Sequence, residues 1–398
     1  MLSNFRVLTR WTNCASLLSC SENFTVGVKV YSVGTRTLAN MASSSPRLVA
    51  GDVPMYTASA LAGRPYFPGA DRKDFPAYVG RPRRNFPMII RPEDEKSALD
   101  FGIEEWAKLC KERIDSLLAE AGAILFRDLP LHTAEDFGKF VKGLGYSSLK
   151  YRGGAGRRDL VTENVMTASD EPLELTIELH TEMANLSYFP RKLLFFCVRP
   201  PEDQNGGETA IAHFGEVLNE LDKLLMEKLN RKGVRYYRNI CDRSRSNYVY
   251  WQNVFMTEER VEVEKFCREQ GYEFKWNDDD SLTYYYSLPP TITHPVTKET
   301  IWFNQITSHH ASFFHAHPDY EDDKRSLTKY PFHCSFGDGE EFSDDEIAHM
   351  RQVQWTKAVG FHWQQGDVLV LDNLTTAHAR LGVHNKDSQR RILASLLD

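Results

Sequence analysis

No Cys-x-x-Cys pair occurs in the chain, and its seven cysteines, Cys14, Cys20, Cys110, Cys197, Cys241, Cys267 and Cys334, follow no short period. A disulfide framework is therefore not expected, and reduced thiols in an intracellular compartment are. Basic charge is scarce as well: 48 Lys and Arg stand against 55 Asp and Glu, giving a formal net charge of -7 and a pI near 6.0. Nucleic-acid binding calls for a clustered basic face, so no nucleic-acid partner is expected. No apolar run approaches the roughly 20 residues that span a bilayer, which argues against membrane embedding. Internal repeats of roughly 20 to 50 residues are missing too, which disfavours solenoids and propellers. What is there, 398 residues of which 41% are hydrophobic, suffices for one large enzyme domain acting on a small molecule. Oligomeric state leaves no mark.

Composition divides the chain. Residues 1–45 carry Arg6, Arg10, Lys29 and Arg36 among Ser, Thr and Asn, with Glu22 the only acid. A basic, acid-poor segment of this kind reads as a mitochondrial presequence or as a disordered tail, while Met41 offers a second start that would give a cytoplasmic form. Residues 46–92 are rich in Pro and Arg (Arg64-Pro65, Arg81-Pro82-Arg83-Arg84, Arg91-Pro92) and read as an extended arm before a single domain at 93–398. From Glu93 to Glu120 apolar residues recur every three to four positions, which predicts a helix that Gly122 ends. Residues 134–144 predict another helix. Runs such as Ala123–Arg127, Leu193–Val198, Val234–Tyr237, Thr300–Phe303, Val368–Leu371 and Arg391–Leu397 predict strands, with helical insertions at His213–Leu229 and Thr257–Gln270. The fold class expected is mainly β, with helices inserted into and flanking the core.

One segment, Leu179-His180-Thr181-Glu182-Met183, places a histidine and a carboxylate two residues apart, which turns both to one side of a strand end. Such pairs are common: among 13 histidines about one arises by chance, and a surface pair is the bland reading. A third histidine strengthens the case. A buried apolar run, Gly366 to Leu371, leads through Asp372-Asn373 to His378 at the far end of the β-region. Two histidines and one carboxylate on one face of an ion leave positions open, which suits non-haem iron that must take a cosubstrate and dioxygen together. Downstream lie Arg390 and Arg391. A guanidinium there can grip the distal carboxylate of 2-oxoglutarate in a bidentate way, although a solvated strand edge would look the same in sequence.

These residues carry a resemblance. Ala121–Arg127, Leu179–Met183 with Phe189-Pro190, Phe195–Cys197, Gly206-Gly207-Glu208-Thr209, Trp302–Gln305, Gly366–Leu369, His378-Ala379-Arg380 and Arg390–Leu393 follow the order found in the taurine dioxygenase and clavaminate synthase-like superfamily. Residues 121–398 resemble that superfamily, and in particular its eukaryotic clavaminate synthase-like members. The resemblance implies a double-stranded β-helix, a jelly roll of the cupin kind. It also implies iron(II) held by His180, Glu182 and His378, with 2-oxoglutarate and dioxygen as cosubstrates. Thr209 matches the threonine that touches the 2-oxoglutarate carboxylate, and Arg390 the arginine that pairs with it, with Arg391 as the alternative should the strand register differ. Glutamate stands where many relatives have aspartate, which keeps the ligand set and disfavours halogenation.

The substrate is less legible. Asn185, Trp302 and Asn304 lie near the ligand segments in sequence, and the glycine-rich loop Gly153–Arg158 would bring Arg157 or Arg158 to a substrate anion or leave them solvated. A small polar molecule, an amino acid or carboxylate, is the expected substrate of a hydroxylation or related C–H oxidation. A zinc-dependent hydrolase on a cupin-like barrel and a catalytically silent jelly-roll binding protein are the rival readings, and neither gives Thr209 and Arg390 a role. The second histidine cluster, His309-His310 with His315 and His317, reads as a loop or helix end, and Tyr284–Tyr286 as core or pocket wall.

Overall fold

The apolar run Leu193–Cys197 is too continuous for a strand with one wet face, and its alternate residues do pack on two different cores. In a computed structural model, which describes residues 46–94, 99–154, 158–245, 249–320 and 324–398, it lies in the strand Lys192–Arg199 near the middle of an eight-stranded sheet. Leu193, Phe195 and Cys197 face inward, while Leu194 and Phe196 face a helical layer. The neighbouring strands Val368–Asp372 and Arg391–Leu397 divide in the same way. Residues 1–45 and Arg157 lie outside the described residues, and the expectations placed on them lie there too.

The outer layer is two helices. Ile103–Ala121 begins where Glu105 accepts the Gly102 N–H at 2.9 Å and ends at Gly122, whose φ of 72° lets its N–H return to Leu118. It starts later than the periodicity suggests, because Gly102 holds an extended conformation that stops the pattern from running back to Glu93. Ala134–Leu144 is capped by Thr133 and stacks Phe137 on Phe196 of the sheet at 4.9 Å.

On the inner face sits a four-stranded sheet in the order Val359–Phe361, Thr209–His213, Thr376–Arg380, Ile177–His180. Its small residues Ala210, Ala212, Ala377 and Ala379 join Phe195, Leu369, Leu371 and Ala394 of the large sheet in one core. The two sheets form the jelly roll. A third, antiparallel sheet is inserted in the chain between Thr209–His213 and Val359–Phe361, in the order Glu273–Trp276, Leu282–Leu288, Val234–Ile240, Phe332–Phe336. There Tyr284 and Tyr286 are buried and stack on Tyr272, while Tyr285 between them is exposed.

Two expectations are corrected. Residues 46–92 are not a detached arm: Leu48–Ala50 and Met88–Pro92 extend the large sheet, the second pairing in parallel with Ala123–Phe126, and Tyr56, Leu61, Phe67, Phe75 and Phe86 are buried. Irregular backbone carries this burial, so no period announces it. The stretch His213–Leu229 is two helices, Phe214–Leu218 and Lys223–Lys232, because Asp222 accepts the Leu225 N–H at 2.8 Å and restarts the helix. The Thr257–Gln270 helix is Arg260–Glu269. No helix among the described residues is long and apolar enough to cross a membrane.

Candidate active site

Ile177–His180 and Thr376–Arg380 run antiparallel as neighbours, and their register sets His180 directly opposite His378. Directly opposed side chains project to the same face, so the imidazoles meet with ring centroids 4.2 Å apart. Glu182 lies just past the strand end, in a turn where Met183 adopts a φ of 58°. Asn373 fixes that turn. Its Oδ1 accepts the Glu182 N–H at 2.7 Å, and its Nδ2 donates to the carbonyls of Glu182 at 2.9 Å and Pro190 at 2.8 Å. The result puts Glu182 Oε2 at 3.9 Å from His180 Nε2 and 3.8 Å from His378 Nε2.

One donor atom from each residue lies within 4.8 Å of the others, so a single ion can meet all three. The protonation states suit it. The His180 Nδ1–H donates to the Glu178 carbonyl at 2.8 Å, which turns the Nε2 lone pair toward the triad. Burial pushes both imidazoles below their usual pKa, with Glu182 opposing the shift at His180, and with the neighbouring His180 and Arg158 adding to it at His378. Neutral imidazole is the form that ligates.

The triad opens into a cavity with about 120 Å³ of solvent-accessible space. Thr209 and Arg390 line its inner end. The Arg390 side chain is half-buried, gives its Nε–H to the Gly207 carbonyl at 2.6 Å and meets no carboxylate among the described residues, and desolvation pushes its pKa down to about 9. The paired glycines explain themselves here: a Cβ on Gly207 would stand 3.0 Å from Arg390 Cδ, and one on Gly206 2.4 Å from the Gly382 carbonyl oxygen. Arg391 is exposed at the strand start, away from the cavity. The Thr209 hydroxyl accepts from Trp363 Nε1 at 3.0 Å. Arg380 also reaches the wall, but its guanidinium is spent on the carbonyls of Glu171, Pro172 and Leu175.

Of the residues read as substrate contacts, Asn185 lines the cavity and donates to the Tyr286 hydroxyl at 3.3 Å. Arg158 lines it too, but with Nη2 at 2.6 Å from Glu182 Oε2, so its partner is the carboxylate of the triad. Trp302 and Asn304 do not take part. The strand Thr300–Trp302 pairs with Thr291–Thr293 and sends the fully buried Trp302 into the core, while Asn304 shapes a turn through Pro290 and Ile306. Three residues that the sequence reading passed over do face the cavity: Phe195, whose ring lies 4.9 Å from that of His378, Gln305 and His309. Phe195 and Gln305 sit inside quoted motifs, whereas His309 was grouped with its neighbours. His310 belongs elsewhere, its ring tilted at 5.0 Å against that of His333, whose Nε2–H donates to Glu341 at 2.8 Å, and His317 pairs with Glu171 at 3.2 Å.

Residues 89–396 match the family described as taurine catabolism dioxygenase TauD, TfdA family. The dapdiamide synthesis protein DdaC of Enterobacter agglomerans is 30% identical over 304 residues, covering 76% of this chain and 89% of its own. A clavaminate synthase-like protein of Arabidopsis thaliana is 30% identical over 334 residues, covering 82% of this chain and 94% of its own. Among solved structures, PvcB of Pseudomonas aeruginosa aligns with a TM-score of 0.43 at 16% identity, over 82% of this chain and 92% of its own.

Proposed function

The chain belongs to the TauD, TfdA family and is a 2-oxoglutarate-dependent dioxygenase using iron(II) and dioxygen, and from that premise we propose that His180, Glu182 and His378 hold the iron while Thr209 and Arg390 receive 2-oxoglutarate. The observation that carries this reading is the convergence of all five residues on one cavity. Two neutral imidazoles and a carboxylate fit a ferrous ion, and three ligands on one side leave the other side open. So held, iron(II) supplies the oxidative decarboxylation of 2-oxoglutarate coupled to oxidation of a substrate C–H bond. The protein's part is to bind, orient and exclude water.

Arg390 offers the distal carboxylate a desolvated cation that forms no ion pair with an acid among the described residues, and an ion pair formed there is worth more than it would be in water. Trp363, donating to the Thr209 oxygen, leaves the threonine's own proton free to point at the cosubstrate. Phe195 packs against the His378 ring and keeps solvent from that side of the centre. The substrate we propose is a small polar molecule, an amino acid or carboxylate, and hydroxylation is the proposed outcome. Zinc hydrolysis would leave Arg390 and Thr209 idle.

The test is direct. Anaerobic iron(II) and 2-oxoglutarate added to the protein are expected to give a weak visible charge-transfer band, and turnover to give succinate. His180→Ala is expected to abolish both, while His132→Ala, at an exposed position outside the cavity, leaves both in place. A folded, iron-replete protein without the band would refute the assignment.

A further inference from the structure

The third sheet supplies part of the cavity wall through Phe332, and it holds a charge that no acid among the described residues meets. Arg238 lies in Val234–Ile240 between its cross-strand neighbours Tyr284 and Phe332, and it is fully buried. Its one hydrogen bond is a long contact of 3.4 Å from Nη2 to the Gly154 carbonyl, and Nε and Nη1 meet no acceptor among the described residues. Phe332, 5.9 Å from that guanidinium, is also the neighbour of His309, with ring centroids 4.8 Å apart. His309 lines the cavity, is 3% exposed, and has both ring nitrogens unpaired among the described residues. The Nη1 of Arg158, in the same cavity wall, is unpaired as well.

Buried polar groups are normally satisfied, and a buried charge without a partner is costly, so this grouping is built to receive something. Charge says what. Arg158, Arg380 and Arg390 line the cavity against Glu171, Glu178 and Glu182, and Glu178 is already held by both arms of Arg351, at 2.7 and 2.9 Å. An iron(II) ion and a 2-oxoglutarate dianion cancel one another. With the Arg351–Glu178 pair set aside, three lining arginines face Glu171 and Glu182, and Arg238 behind the wall raises the positive excess to two, so the remaining occupant must bring negative charge. Burial and the adjacent Arg238 hold the His309 imidazole neutral, able to donate one hydrogen bond to an anion without adding to the positive excess.

We propose that His309 and the free Nη1 of Arg158 contact a carboxylate carried by the substrate, and that Arg238, behind them, is a positioning residue that supplies the balancing charge. The proposal rests on the oxygenase reading and specifies the recognition chemistry of that same site.

Its test uses the full chain, loaded anaerobically with iron(II) and 2-oxoglutarate. The loaded protein is titrated by calorimetry with C3 to C6 monocarboxylic and 2-amino acids, their primary amides and the matching alkylsulfonates. Acids are expected to bind and amides to bind at least about tenfold more weakly, the range of a lost hydrogen bond to a charged group. Arg238→Gln is expected to erase that acid-over-amide preference while leaving the Kd for 2-oxoglutarate within about twofold. Arg238→Lys should keep the preference, and His309→Phe should weaken the acids by about tenfold. A merely structural Arg238 would lower acid and amide binding together. That result overturns the proposal, as do equal binding of acids and amides, a preference for sulfonates, or no carboxylate binding to a protein that binds 2-oxoglutarate. A protein that takes up no 2-oxoglutarate at all instead sinks the assignment of Thr209 and Arg390.

Discussion

Adjacent arginines divide the work at the end of the last strand. Arg390 is half-buried beside Gly207 and lines the cavity with Thr209, while Arg391 opens the strand Arg391–Leu397 on the wet side, opposite Arg199. Period-two alternation allows only one of two neighbours to face the cavity, so the pair is an internal control. Arg390→Gln is expected to raise the Kd for 2-oxoglutarate about 10- to 100-fold, the cost of losing a charge-assisted pair, and Arg391→Gln to change it by less than about twofold. Calorimetry on the iron-loaded protein measures both. The sequence left these two open because both carry the same charge and only strand register separates them. Resemblance favours Arg390, and Arg390 is the one of the two that lines the cavity.

The turn after Ile177–His180 shows what an element needs beyond its own residues. Asn373, from the far end of the chain, holds the Glu182 backbone by two hydrogen bonds and ties it to Pro190 by a third, while Arg158 meets the carboxylate itself. Asn373→Ala removes all three and strands a buried N–H and two carbonyls, at a cost of about 2–4 kcal/mol. Iron affinity should fall about tenfold as Glu182 loses its orientation. Urea denaturation and metal-competition titration separate the two effects, and an unchanged iron affinity would show that the carboxylate is directed without Asn373, by Arg158 and the strand. Strands were legible in the sequence wherever both faces are buried, as in Leu193–Val198 and Val368–Leu371, because continuous apolar runs announce themselves. The third imidazole of the cavity, His309, was not. Its neighbours His310, His315 and His317 serve packing and hydrogen bonds, and spacing alone does not distinguish the one that turns inward.

At the scale of the molecule, the residues before position 92 belong to the fold. Phe67 packs on Phe75 at 5.2 Å and on Trp355 at 4.7 Å, and the Arg64 guanidinium closes on the carbonyls of Ala60 and Gly382. Composition misled here, since Pro and Arg usually mark solvated chain, and burial without a helix or strand period leaves no pattern to read. Phe67→Ala is expected to destabilise the protein by about 3–5 kcal/mol in urea unfolding. A cost below about 1 kcal/mol would return the segment to the status of a loose lead-in. For residues 1–45 the presequence reading stands as a proposal: import is expected to leave a mature N-terminus downstream of Met1, and mass spectrometry of the protein from mitochondria would find an intact Met1 if it is wrong.

The opposition of His180 and His378 has one more outcome. Ile177–His180 is a four-residue edge strand attached along only one side, and its ladder to Thr376–Arg380 is irregular next to the paired histidines. A ferrous ion between them would act as a cross-link, stapling that weak margin to the interior of the barrel and joining two segments far apart in the chain. Chelation would then loosen this margin first, and hydrogen exchange would quicken at residues 177–180 well before the central strands respond.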